Sequence, residues 1–132
     1  MVVFIDTNVF AFTLLEEKDA RPALDVLDKI ARGQIQAITS PLVLDELMWV
    51  LIKNNRVHLL EMATQNIYKL PNLQILNLDS TAPLIALNYI KEYNLKPRDA
   101  MHCAFMQINK IDQIITDDKD FDRVKQFKRI KI

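Results

Sequence analysis

The 132-residue chain balances seventeen basic against seventeen acidic side chains, so it lacks the overall positive charge that marks many nucleic-acid binders. Hydrophobic residues make up 50% and charged residues 26%, which excludes a disordered or fibrous chain and indicates one globular domain spanning residues 1–132. Cys103 is the sole cysteine, which excludes an internal disulfide and suits a reducing cytoplasm; no basic leader precedes Asp6, and the longest strongly apolar run, 47–52, is too short to span a membrane.

The chain opens on an apolar, β-branched run, Val2 to Ile5, which reads as a strand buried on both faces in the middle of a parallel sheet. It ends on Asp6-Thr7-Asn8, three short polar side chains at a strand's carboxyl end, where open α/β sheets bind their ligands. A short helix is expected over 9–15 and a second over 21–32, with Ala23, Leu24, Leu27, Ile30 and Ala31 on its apolar face and Gly33 as its C-terminal stop. Residues 35–39 form the second strand.

Ser40-Pro41 signals a helix start, with Ser40 as the cap. The helix over 42–54 is apolar nearly all round, including Met48, Trp49 and Ile52, and is expected to be buried on every side. Burying an unpaired carboxylate in such a helix is costly, so Asp45 or Glu46 must face a cleft, a cation or a partner. An amphipathic helix follows over 57–70, then a strand over 73–78 and a helix to about residue 93 capped by Asp79-Ser80. Pro97-Arg98-Asp99 opens a helix to about residue 109. A fourth strand over 113–116, a short helix or turn over 119–126 and a fifth strand over 129–132 complete the chain. Strands alternating with helices specify an α/β fold, a mostly parallel sheet covered on both faces.

Charge is unevenly spread. Residues 119–132 carry a local charge of +4 against −4 for the rest of the chain, which fits either a phosphate-contacting tail or a solvated edge.

Four acids occupy special places: Asp6 at the end of the first strand, Glu46 in the apolar helix, Asp99 in a first helical turn, and Asp118 after the fourth strand. Each also has an ordinary reading. Asp6 can cap the following helix, Asp99 suits a helix N-terminus, and Asp117, Asp118 and Asp120 can form a turn. If the four converge they need a counter-charge, because neighbouring carboxylates repel by up to a few kcal/mol per pair at an effective dielectric of about 20. Oxygen ligands without cysteine or a histidine pair favour Mg2+ or Mn2+ over zinc, and such ions support attack of an activated water on a phosphodiester.

Four segments in order, Phe4-Ile5-Asp6-Thr7-Asn8-Val9, Ser40-Pro41-Leu42-Val43-Leu44-Asp45-Glu46-Leu47, Arg98-Asp99-Ala100-Met101-His102-Cys103-Ala104 and Ile115-Thr116-Asp117-Asp118-Lys119-Asp120-Phe121, resemble the PIN domains, in particular the small VapC-like ribonuclease toxins. The resemblance implies a three-layer α/β/α sandwich with a five-stranded sheet and an endoribonuclease site dependent on Mg2+ or Mn2+. It implies Asp6, Glu46, Asp99 and Asp118 as catalytic and metal-binding residues, with Thr7, Asn8, Thr116 and Asp120 in support. Asp118 is preferred over Asp117 because the family pattern places a variable residue between Thr and Asp. It also implies an RNA substrate, a small antitoxin partner and a homodimer. His102, one helical turn after Asp99, reads as a general acid or as a buried histidine packed beneath the site or bonded to backbone. His58 reads as surface, and Trp49 and Met48 as core or dimer contact. Where the family often has a glycine after the last motif, this chain has Val124-Lys125-Gln126-Phe127, which leaves the final connection open.

Two other classes compete. One is a binding module of the same fold without appreciable catalysis, against which four intact acids argue. The other is a phosphotransfer enzyme with Asp6 as nucleophile, against which Asn8 argues, since that chemistry wants a second acid two residues on.

Overall fold

A computed structural model describes residues 2–17 and 19–132. In chain order the elements are β1 (Val2–Ile5), α1 (Thr7–Leu15), α2 (Ala20–Ala31), β2 (Gln36–Thr39), α3 (Pro41–Lys53), α4 (Leu60–Lys69), β3 (Leu73–Ile75), α5 (Ala82–Tyr93), α6 (Pro97–Ile108), β4 (Gln113–Ile115) and β5 (Lys128–Ile130). Single 3-10 turns, Val57–Leu59 and Lys119–Arg123, precede α4 and β5.

The strands form one sheet in the order β3-β2-β1-β4-β5, and every neighbouring pair is parallel. β1 is central, as its apolar run required: Val3, Phe4 and Ile5 are fully buried. The chain winds outward from β1 to β3, then returns through α5 and α6 to β4 on the other side of β1. Right-handed crossovers therefore put α1 to α4 on one face and α5 and α6 on the opposite face. The strand order reverses between β1 and β4, and a crevice opens there at the carboxyl ends.

Local chemistry explains most boundaries. Gly33 sits at φ 77° just past α2, where Gln34 N–H reaches Lys29 O at 2.9 Å and Gly33 N–H reaches Ile30 O at 2.9 Å, a Schellman closure. Pro41, Pro83 and Pro97 each lie in the first turn of a helix, where the missing N–H costs nothing.

Several expectations are corrected. α3 is not buried on every side: Val43, Leu44, Leu47 and Leu51 face the core, while Met48, Trp49 and Ile52 are exposed, Trp49 by 59%. A core reading of Met48 and Trp49 is thereby excluded. Likewise the buried face of α2 is Ala23 and Ile30 with Leu27 half-buried, whereas Leu24 and Ala31 turn outward. Ser40 holds the N-cap position, but its buried hydroxyl donates and accepts no hydrogen bond there. Asp79 acts one turn before α5, its Oδ1 accepting from Thr81 N at 2.8 Å and Thr81 Oγ1 at 2.7 Å. β3 ends at Ile75 rather than 78. The glycine-free connection to β5 closes by two successive turns, Val124 N to Phe121 O and Phe127 N to Val124 O, with Val124 and Phe127 buried.

Candidate active site

Asp6 leaves β1 tied to β4, its N–H donating to Ile115 O at 3.2 Å. Its side chain does two things. Oδ1 accepts from Thr7 N at 2.8 Å and so caps α1, while Oδ2 accepts from Thr116 Oγ1 at 2.7 Å. The ordinary capping role and a place in the crevice are thus compatible, and the two bonds fix a carboxylate that is only 6% exposed.

Thr116 is the hub of the crevice floor. Its Oγ1 also accepts from Asn8 Nδ2 at 3.0 Å and Asp118 N at 3.1 Å, and Asn8 Oδ1 accepts from Asp117 N at 3.3 Å. Asp118 then caps the 3-10 turn, with Oδ1 accepting from Asp120 N at 2.9 Å. Asp120 Oδ1 is held by Arg123 Nη2 at 3.1 Å. Thr7, Asn8, Thr116 and Asp120 therefore lie around the acids, although Thr7 Oγ1 is buried and unbonded.

Glu46 enters from α3 and Asp99 from α6. Glu46 Oε1 meets His102 Nε2 at 2.5 Å, and His102 Nε2 also lies 3.7 Å from Asp6 Oδ1. This is the buried histidine packed beneath the acids, bonded to a side chain rather than to backbone. Its ring is buried against Phe4, centroids 5.3 Å apart. Burial lowers the pKa of His102, but the hydrogen bond to Glu46 and the charges of Asp6, Glu46 and Asp99 outweigh it and leave the value raised. His58 is at the surface, and Asp45 points to solvent, leaving Glu46 as the inward acid of that helix.

Asp6, Glu46, Asp99 and Asp118 line one cleft of about 320 Å3. Oxygens of Asp99, Asp118 and Asp120 lie within 4.8 Å of one another, as do ligand atoms of Asp6, Glu46 and His102. Burial, then the negative charges of Asp118 and Asp6, push Asp99 up to about 6. Arg98 Nε stands 4.0 Å from Glu46 Oε1, the only Lys or Arg within ion-pair distance of the four acids among the described residues. Such an excess of convergent carboxylate charge, made of hard oxygen donors, fits a divalent cation. Sequence reasoning missed that His102 pairs with Glu46, and that Lys53 and Asn54 at the end of α3 line the same cleft. The signal for Lys53 was its spacing: residues 46, 50 and 53 share a helix face. The basic tail is partly spent internally, since Arg129 pairs with Asp122 at 2.9 Å and bonds Thr116 O.

A parallel 3-2-1-4-5 sheet with acids gathered at its reversal point defines the class: the chain belongs to the PIN domain family, whose family model matches residues 3–126. Among its relatives, it is 28% identical over 142 residues to Ribonuclease VapC2 of Methanocaldococcus jannaschii, covering 98% of this chain and 93% of that protein. Its fold is shared with VapC20 of Mycobacterium tuberculosis, described as a Sarcin-Ricin loop cleaving toxin, at a TM-score of 0.74, 16% identity and coverage of 92% and 93%. It is likewise shared with a toxin-antitoxin complex from Klebsiella pneumoniae, at a TM-score of 0.68, 21% identity and coverage of 98% and 99%. Among the described residues no helix is long and apolar enough to cross a membrane.

Proposed function

We propose that this protein is a divalent-metal-dependent endoribonuclease, the toxin of a toxin–antitoxin pair, acting in the cytoplasm on RNA. The observation that carries the reading is the cleft lined by Asp6, Glu46, Asp99 and Asp118 in a PIN domain. A relative named as a ribonuclease and a fold neighbour named as a Sarcin-Ricin loop cleaving toxin support the reaction, and a toxin-antitoxin neighbour supports the small protein partner. Cys103 is free and buried, in keeping with a reducing compartment.

Asp6 and Asp99 would hold Mg2+ or Mn2+, with Asp118 completing the set and Glu46 within reach. When bound, the ion supplies positive charge for the developing charge on phosphorus oxygens and acidifies a coordinated water. Thr116 and Thr7 N–H fix Asp6, so its oxygens do not reorient during the reaction. His102 donates Nε2–H to Glu46 Oε1, which leaves Glu46 Oε2 to orient the attacking water or take its proton. Asp118 Oδ2, free of intrachain bonds among the described residues, is positioned for the same task. A homodimer formed through Met48, Trp49 and Ile52 is part of this reading, because three large exposed apolar side chains on one helix favour burial against a second copy.

The test is incubation with a mixed set of single-stranded and structured RNAs in Mg2+ or Mn2+, beside EDTA and Asp99→Asn. Cleavage is expected in wild type and in neither control. Absence of cleavage from wild type, with intact fold, would overturn the enzyme in favour of a binding module.

A further inference from the structure

The cleft has a direction. Leu42, Glu46, Val50 and Lys53 recur at spacings of four, four and three along α3 and so lie in one stripe, about 16 Å long at ~1.5 Å per residue. Glu46, Val50 and Lys53 line the acid cleft, where Val50 is joined by Phe12 and Leu15 of α1. Leu42, at the other end, lines an open depression with Lys96, Arg98 and Met101. Acid therefore occupies the middle of the stripe, an apolar step flanks it on either side, and a cation stands at each end, Lys53 at one and Lys96 at the other, while Arg98 reaches back to Glu46. Lys53 and Lys96 are exposed and have no ion-pair partner among the described residues, unlike Arg123 and Arg129 of the basic tail.

A polyanion reaching a cleft walled by carboxylates needs cations beside it, not among the acids, and unpaired bases or riboses need apolar surface. We propose that a single RNA strand crosses the site along α3, with Lys53 holding a phosphate on one side of the scissile bond and Lys96 holding one on the other. The stretch of α3 from Leu42 to Lys53 matches roughly five stacked nucleotides at ~3.4 Å each and fewer when unstacked, so the path along the helix is that of one short strand. Val50, Phe12 and Leu15 on one side and Leu42 and Met101 on the other carry the intervening nucleotides. This inference rests on the ribonuclease reading, and Lys53 and Lys96 are positioning residues in it.

Binding separates the strand path from the chemistry. The probe is a fluorescein-labelled, single-stranded 2′-O-methyl oligoribonucleotide, recovered intact after a fluorescence-anisotropy titration in Mn2+ at several salt concentrations. Lys53→Gln and Lys96→Gln are each expected to weaken binding several-fold and to reduce the log–log salt slope by about 0.7, the value for one lost phosphate contact on a single strand. Lys91→Gln, a surface charge on α5, is expected to change neither, and Lys53→Arg to restore both. In cleavage of unmodified RNA the loss should fall on KM rather than kcat. Equal binding by all three Gln variants, or no binding by wild type, would overturn the path. Cleavage by wild type with those equal affinities would leave the ribonuclease reading standing. Lysine-dependent binding without cleavage would do the reverse.

Discussion

At the residue scale the site is governed by what Asp99 and His102 must tolerate. Asp99 sits half-buried beside Asp118 and Asp6, so its protonated form is favoured in the folded protein, with a pKa of about 6 against an ordinary value of 3.8. A raised carboxyl pKa stabilises the fold fully below about 3.8 and ceases to do so as pH rises through about 6. In EDTA, Asp99→Asn should therefore melt above wild type at pH 7.5, and the gap should narrow as pH falls to 5; thermal unfolding across that range checks it, and a constant gap would contradict the origin of the shift. Metal and proton compete for this carboxyl, so the affinity for Mn2+ should weaken as pH falls below about 6. His102 is the complementary case, a buried ring that ties Glu46 in place. His102→Ala removes that hydrogen bond and opens space beside Phe4, with an expected loss of about 2–4 kcal/mol in denaturant unfolding. Activity should fall at least tenfold, and His102→Gln should recover part of both. The sequence segments carried the positions of Asp6, Glu46, Asp99 and Asp118, because each lies in a motif with its own local geometry. The partner of His102 was not legible, because Glu46 is 56 residues away and only the folded chain brings α3 to α6.

At the element scale α3 is where sequence and structure part. An apolar surface all round a helix implies burial, yet the fold covers only the side bearing Val43, Leu44, Leu47 and Leu51. Hydrophobicity reports that a face will be buried, not whether the chain's own core or another molecule buries it. The proposed dimer gives that outer face a role. Trp49→Glu should convert a dimer to a monomer by light scattering while leaving the far-UV spectrum unchanged. A wild type that is monomeric at tens of micromolar, or a dimer indifferent to the substitution, would contradict it. The inner face of α3 was better marked, since an acid in an apolar helix demands a polar destination, and of Asp45 and Glu46 it is Glu46 that finds one. Leu24 and Ala31 widen the apolar pattern of α2 beyond its buried face, and β3 stops at Ile75 while the apolar residues Leu76 and Leu78 continue past it, whereas the carboxyl ends of β1 and β2 coincide with those the pattern marks.

At the scale of the whole molecule, the arrangement depends on strand order. β1 lies between β2 and β4, so the loops after β1 and β4, the second turn of α3 and the first turn of α6 meet at one edge. Alternating strands and helices revealed the parallel sheet, and the buried run Val3-Phe4-Ile5 revealed its centre; the pairing of β1 with β4 is long-range and needs the structure. The cost of this convergence is carboxylate repulsion, which a bound ion relieves. The measurement closest to that claim is calorimetric titration of Mn2+ into metal-free wild type, Asp6→Asn and Asp99→Asn, each checked for folding by its melting curve. Wild type should bind the ion and gain in melting temperature, while each variant loses at least tenfold in affinity and most of that gain. No heat from wild type, or equal binding by all three proteins, would contradict the assignment of these acids as a metal site.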